Sequence, residues 1–95
     1  MPDRGLPEPS PDVVARRVDD EVVLVNLQTN RIFALNPTGA RFWELLEGGA
    51  GRVEIEEKLI EEYEASPDEI RASIDALVEE LRSERLVQDP RTPTS

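Results

Sequence analysis

Apolar positions follow two regimes along this chain: short β-branched runs up to residue 35, then stripes at three- and four-residue spacing. Val13-Val-Ala-Arg-Arg-Val18 reads as a strand ending at the polar turn Asp19-Asp20-Glu21. Val22-Val-Leu-Val-Asn-Leu27 is more continuously apolar, as expected of a central strand covered on both faces. Gln28-Thr29-Asn30 makes the second turn, where Asn accepts the left-handed conformation a tight hairpin needs. Arg31-Ile-Phe-Ala-Leu35 returns as the third strand. Phe33 and Leu35 share one of its faces, Ile32 and Ala34 the other.

Asn36-Pro37 switches the chain from strand to helix, with Asn as N-cap and Pro at the first helical position. Phe42, Trp43, Leu45 and Leu46 give this helix its apolar face, and Gly48-Gly49 ends it. A second helix, about residues 53–64, places Ile55, Leu59 and Tyr63 at helical spacing beside Ile60. Ser66-Pro67-Asp68-Glu69 is a capping box that starts a third helix with the stripe Ile70, Ile74, Leu77, Val78, Leu81. Leu86-Val87 closes the domain. The predicted fold is α+β in the order β-β-β-α-α-α. Its last two helices form a helix-turn-helix, with the strands as a wing.

Six of the eight prolines precede Asp12 or follow Gln88, so residues 1–11 and 88–95 are expected to be disordered tails around a domain at 12–87. A chain of 95 residues has room for one core and no deep, dry cleft. It holds no His and no Cys, which removes the commonest general base, thiol nucleophiles, disulfides and imidazole or thiolate zinc sites. No cofactor is expected. The formal net charge of −10 disfavours nucleic acid and anionic membranes and favours a cationic peptide. With no long apolar run and no signal-type stretch, the expected setting is the cytoplasm.

Carboxylates are numerous, but Glu54, Glu56, Glu57, Glu61, Glu62 and Glu64 crowd one helix as a solvated face. Nothing in the pattern splits the pKa values of an acid/base pair, so catalysis is not expected. Asp19-Asp20-Glu21 lacks the spaced ligands and glycine of a calcium loop. Phe42 and Trp43 sit at helical spacing with Leu45 and Leu46, which marks them as core rather than a base-stacking platform. A winged-helix DNA regulator is a lesser alternative. The third helix would bring Asp68, Glu69, Asp75, Glu79, Glu80 and Glu84 toward phosphates, against only Arg71, Arg82 and Arg85. The third strand stands apart, because no charge or proline blunts it between Arg31 and Asn36. An extended peptide could pair with it and drop alternate side chains into a groove against the third helix.

Residues 22–46, with Leu35-Asn-Pro-Thr-Gly39 and the aromatic-Leu-Leu helix at their centre, followed by Gly48-Gly49 and residues 56–87, resemble the PqqD-like family. These are recognition elements for the precursor peptides of ribosomally made, modified products. The resemblance implies a winged helix-turn-helix that binds a leader segment as an antiparallel strand on the third strand. Carried onto this chain, it implies peptide contacts by Arg31, Ile32, Phe33, Ala34 and Leu35. From the third helix we expect contacts by Arg71, Ile74, Asp75 and Val78. The Asn-Pro-Thr-Gly junction and the length are most similar to the leader-binding subunit of lasso-peptide systems. This implies a leader with a Tyr-x-x-Pro motif, a separate leader peptidase and an asparagine-synthetase-like cyclase. The alternative is a PqqD-type chaperone presenting a precursor to a radical-SAM enzyme, where Pro37 is not expected. One departure is Arg85, where family members often carry Gly.

Overall fold

The computed structural model describes residues 6–88. Its elements in chain order are β1 (Glu8–Pro9), β2 (Val13–Val18), β3 (Glu21–Asn26), β4 (Arg31–Leu35), α1 (Pro37–Glu47), α2 (Arg52–Tyr63), α3 (Pro67–Ser83) and β5 (Val87–Gln88). β2, β3 and β4 form an antiparallel meander with β3 in the centre, so β4 is an edge strand. Three helices follow, and the α+β order expected from the hydrophobic pattern is the one observed.

Both strand turns use the left-handed residue their geometry requires, Asp19 (φ 58°) and Asn30 (φ 62°). α1 begins where Asn36 Oδ1 accepts from the Gly39 N–H at 2.9 Å, with Pro37 at N1. The Ser66 capping box at the start of α3 forms as the sequence predicts. α1 and α3 end in the same motif. Gly49 N–H donates to the Leu46 carbonyl and Ala50 N–H to Leu45; Arg85 N–H donates to Arg82 and Leu86 N–H to Leu81. Gly49 (φ 88°) suits the left-handed position, whereas Arg85 adopts it (φ 58°) with a Cβ. We therefore expect Arg85→Gly to stabilise the domain by about 1 kcal/mol, raising the melting temperature by roughly 4–8 °C in a thermal scan.

Two expectations need correction. Residues 6–11 are not a free tail: Leu6 is buried in the core, and Glu8–Pro9 pairs with Val87–Gln88 as a second, two-stranded sheet. Burying one leucine and one ladder gives this segment a reason to order that its proline content hides. Residues 1–5 and 89–95, where the rest of the two expected tails falls, lie outside the described residues. Secondly, β3 is covered on one face only. Val22 and Leu24 are buried under the helices, while Val23 and Val25 on the opposite face are only half-buried.

The core joins Leu24 and Leu35 of the sheet to Phe42, Trp43 and Leu46 of α1, Ile55 and Leu59 of α2, and Ile70, Ile74, Val78 and Leu81 of α3. Phe42 and Trp43 are each 1% exposed, confirming them as core. Ion pairs then tie neighbouring elements. Arg17 of β2 binds Glu44 of α1. Arg41 of α1 donates to both carboxylate oxygens of Glu62 on α2, at 2.9 Å each for the shortest bonds. This hydrogen-bonded guanidinium holds the Glu62 carboxyl below its ordinary value of 4.5. A depressed folded-state value means the pair stabilises the fold above pH 4.5 and loses that contribution as pH falls through the lowered folded value. Because the pair is solvent-screened, Glu62→Gln should lower the melting temperature by only a few degrees at pH 7. The difference from wild type should vanish in scans well below pH 4.5.

Candidate peptide-binding site

The open edge of β4 has a defined hydrogen-bonding pattern. Leu27 N–H donates to the Asp12 carbonyl beside β2 at 2.9 Å, while the Asn26 carbonyl turns the other way to accept from Asn30 at 2.7 Å. Successive residues of a strand point their main-chain groups in opposite directions. With Asn26 opposite Arg31, Leu24 opposite Phe33 and Val22 opposite Leu35, those three β4 residues bond inward to β3. Ile32 and Ala34 therefore direct their N–H and C=O groups outward, to the unpaired edge.

Side chains divide differently. Leu35 is buried, Phe33 is half-buried on the helix side, and Ile32 (70% exposed) and Ala34 lie on the opposite face of the sheet. A trough with two lobes runs along α3, the first facing β4 and the second facing the start of α1. One, about 410 Å³, is lined by Phe33, Glu79, Glu80, Ser83 and Glu84. The other, about 360 Å³, is lined by Asn36, Thr38, Gly39, Ser73, Ala76, Leu77 and Glu80. Glu80 borders both, so the lobes meet along α3. The small residues Ser73, Ala76 and Ser83 make the room; Phe33 and Leu77 supply apolar floor.

Two contacts hold the far end of this trough. Arg31 Nε meets Glu84 Oε1 at 3.0 Å, bridging the start of β4 to the end of α3. Beneath it the buried Asn26 donates through Nδ2 to the Glu84 and Arg85 carbonyls at 3.2 and 3.0 Å. Its Oδ1 accepts from the Gln28 and Thr29 N–H groups at 2.9 and 3.3 Å. One side chain thereby satisfies both the β3–β4 turn and the carbonyls left over at the end of α3. It sets the spacing between the two walls.

The family model of coenzyme PQQ synthesis protein D (PqqD) matches residues 21–87, which span β3, β4 and all three helices. This chain belongs to the PqqD family. Among solved structures, TbiB1 in complex with the TbiA(β) leader peptide is similar to this PqqD-family chain with a TM-score of 0.83 at 32% identity. That match covers 90% of this chain and 99% of the other. A lasso peptide synthetase B1 complexed with a leader peptide is similar with a TM-score of 0.76 at 25% identity, over 87% and 96% of the two chains. No curated protein matches.

The structure separates the expected site residues of this PqqD-family chain into two groups. Arg31 to Leu35 form the edge strand, with Phe33 toward the trough and Ile32 turned away from it. The helix residues lie elsewhere. Ile74 and Val78 are buried in the core. Arg71 bonds to Glu56 at 3.3 Å and Asp75 to Arg52 at 2.7 Å, so both fasten α3 to α2. The trough is lined from the other flank of the core stripe: Ser73, Ala76, Leu77, Glu79, Glu80, Ser83 and Glu84. Both flanks repeat at helical spacing, so periodicity alone cannot choose between them. The informative signal was residue size, since only the second flank carries small residues at 73, 76 and 83. Among the described residues no group of acidic side chains is placed to hold a metal ion, and no helix is long and apolar enough to cross a membrane.

Proposed function

We propose that this chain is a non-catalytic, cytoplasmic domain that binds the leader segment of a ribosomally synthesised precursor peptide. The leader adds as an antiparallel strand along β4, bonding to the outward main-chain groups of Ile32 and Ala34, and packs its side chains into the trough against α3. The observation that carries this reading is an open β4 edge directly beside a two-lobed trough. The two similar solved structures, each holding a leader peptide, support it. Main-chain pairing supplies affinity and the trough supplies selectivity.

For a leader with a Tyr-x-x-Pro motif, the Tyr and Pro fill the two lobes. A regular strand sends residues three apart to opposite faces, so the leader leaves the ladder before its Pro, which has no N–H to offer. Basic leader residues meet Glu79 and Glu80. The loaded domain then delivers the precursor to a separate leader peptidase and an asparagine-synthetase-like cyclase, in lasso-peptide biosynthesis.

Titrating a fluorescently labelled leader onto the purified domain tests the reading; absence of binding at tens of micromolar would sink it. We expect affinity for a basic leader to fall as salt rises, and Glu79→Gln/Glu80→Gln to weaken binding several-fold while flattening that dependence.

A further inference from the structure

Residues 6–10 form a strap tied to the end of α3. Glu8 and Pro9 lie opposite Gln88 and Val87 in the antiparallel β1–β5 pair, and Gln88 Nε2 donates to Glu8 Oε2 at 3.2 Å. Leu6 and Pro7 are buried beside Leu46 and the turn Gly49-Ala50-Gly51. The fit is loose, for a cleft of about 210 Å³ remains between strap and turn. A ladder of two residue pairs anchored by one leucine belongs to the least stable part of a fold, which opens locally without unfolding the domain.

The strap ends where the trough wall ends. Ser10 N–H donates to the Leu86 carbonyl at 3.0 Å. Asn26 Nδ2 takes the two preceding carbonyls, those of Glu84 and Arg85. Three successive carbonyls at the end of α3 are thus held by two different elements, two by the sheet and one by the strap. Among them Arg85 sits in the left-handed region (φ 58°) with a Cβ, a conformation that persists only where its neighbours enforce it. Ser83 and Glu84, which line the larger lobe of the trough, come directly before it. Opening the strap frees the Leu86 carbonyl and removes one of the constraints on that wall.

Resting on the leader-binding reading above, we propose that residues 6–10 are a cis-acting strap whose docking on β5 holds the end of α3 in the geometry the leader needs, so that strap closure and leader binding favour each other. The coupling runs through Leu86, Arg85 and Glu84. By linkage, the factor by which a closed strap tightens leader binding equals the factor by which bound leader favours strap closure.

The test uses the full chain and a labelled leader. Leu6→Asp puts a carboxylate where the leucine docks; we expect it to open the strap and weaken leader binding by about fivefold or more, read by anisotropy. The chain has no Cys, so Glu8→Cys with Gln88→Cys gives a single disulfide, and directly opposed residues of an antiparallel pair lie within disulfide reach. Added to Leu6→Asp, the oxidised pair should restore affinity to within about twofold of wild type, and reduction should undo the rescue. That result separates strap docking from the packing of Leu6 itself. In wild type, hydrogen exchange of the Ser10 amide should slow at saturating leader by the factor that Leu6→Asp costs in affinity. Wild-type affinity in a Leu6→Asp variant whose Ser10 amide exchanges freely overturns the proposal, and tighter binding overturns it in favour of a strap that opposes the leader. Ser10 exchange that ignores the leader also overturns it, and this measurement decides alone should Leu6→Asp not fold. Failure of wild type to bind leader at all overturns instead the leader-binding reading on which the proposal rests.

Discussion

Ala34→Pro should weaken leader binding on the order of 30-fold or more while shifting the melting temperature by only a few degrees. Ala34 is exposed, and its N–H points to the open edge, so replacing it costs no bond within the sheet. Proline is tolerated on edge strands with the N–H side outward, and it asks the preceding residue, here Phe33, for the extended conformation a strand already has. The lost main-chain bond alone is worth about 1 kcal/mol, roughly fivefold in affinity. The ring adds to this by occupying the space into which the partner strand must come. Ala34→Ser, which keeps the N–H, should bind as wild type. Anisotropy titrations of the three proteins, with thermal scans alongside, would decide the matter. Equal affinity for Ala34→Pro would mean that the leader does not pair on β4.

Asn26→Ala should produce the largest loss of stability, about 3 kcal/mol, or roughly 12–24 °C in melting temperature. Asn26 is 1% exposed and makes four hydrogen bonds, two donated to the end of α3 and two accepted from the β3–β4 turn. Its removal leaves two carbonyls and two N–H groups short of partners beneath the Arg31–Glu84 bridge. Unmade bonds to partly buried groups cost more than made ones contribute. The consequence extends to the trough, because the same side chain joins its two walls. At temperatures where Asn26→Ala remains folded, its leader affinity should fall even though Asn26 touches no leader. Asn26→Asp gives a second handle. It retains the acceptor for Gln28 and Thr29, yet sets a carboxylate against the Glu84 and Arg85 carbonyls. That repulsion raises the folded-state pKa of the new carboxyl, so the variant should regain stability as pH falls and the group protonates. Urea unfolding at pH 7 and pH 4 would show this; a variant equally unstable at both would contradict it.

Much of the architecture follows from local chemistry that any reader of the chain can weigh. The β-branched runs, Asn30 in a left-handed turn, Asn36-Pro37 and the Ser66 capping box each act over a few residues, so strand and helix positions were legible. So was the absence of His and Cys, and with it the narrow range of chemistry available. The ordering of residues 6–9 was not legible, because Glu8–Pro9 finds its partner at Val87–Gln88, near the opposite end of the chain.

The stretch from Arg31 to Leu35 shows where the division falls. The sequence alone determined that it is an unblunted strand whose side chains alternate between two faces, because pleating sends successive residues opposite ways. Only the tertiary structure decided that this strand lies at the edge, and that Ile32 looks away from α3. It also decided that the trough takes Leu77, Glu80 and Ser83 rather than Arg71 and Asp75. The reason is geometric. A helix with one apolar stripe has two polar flanks of equal period, and only its rotation against the sheet, set here by α2 on one side and Asn26 at its end, tells them apart.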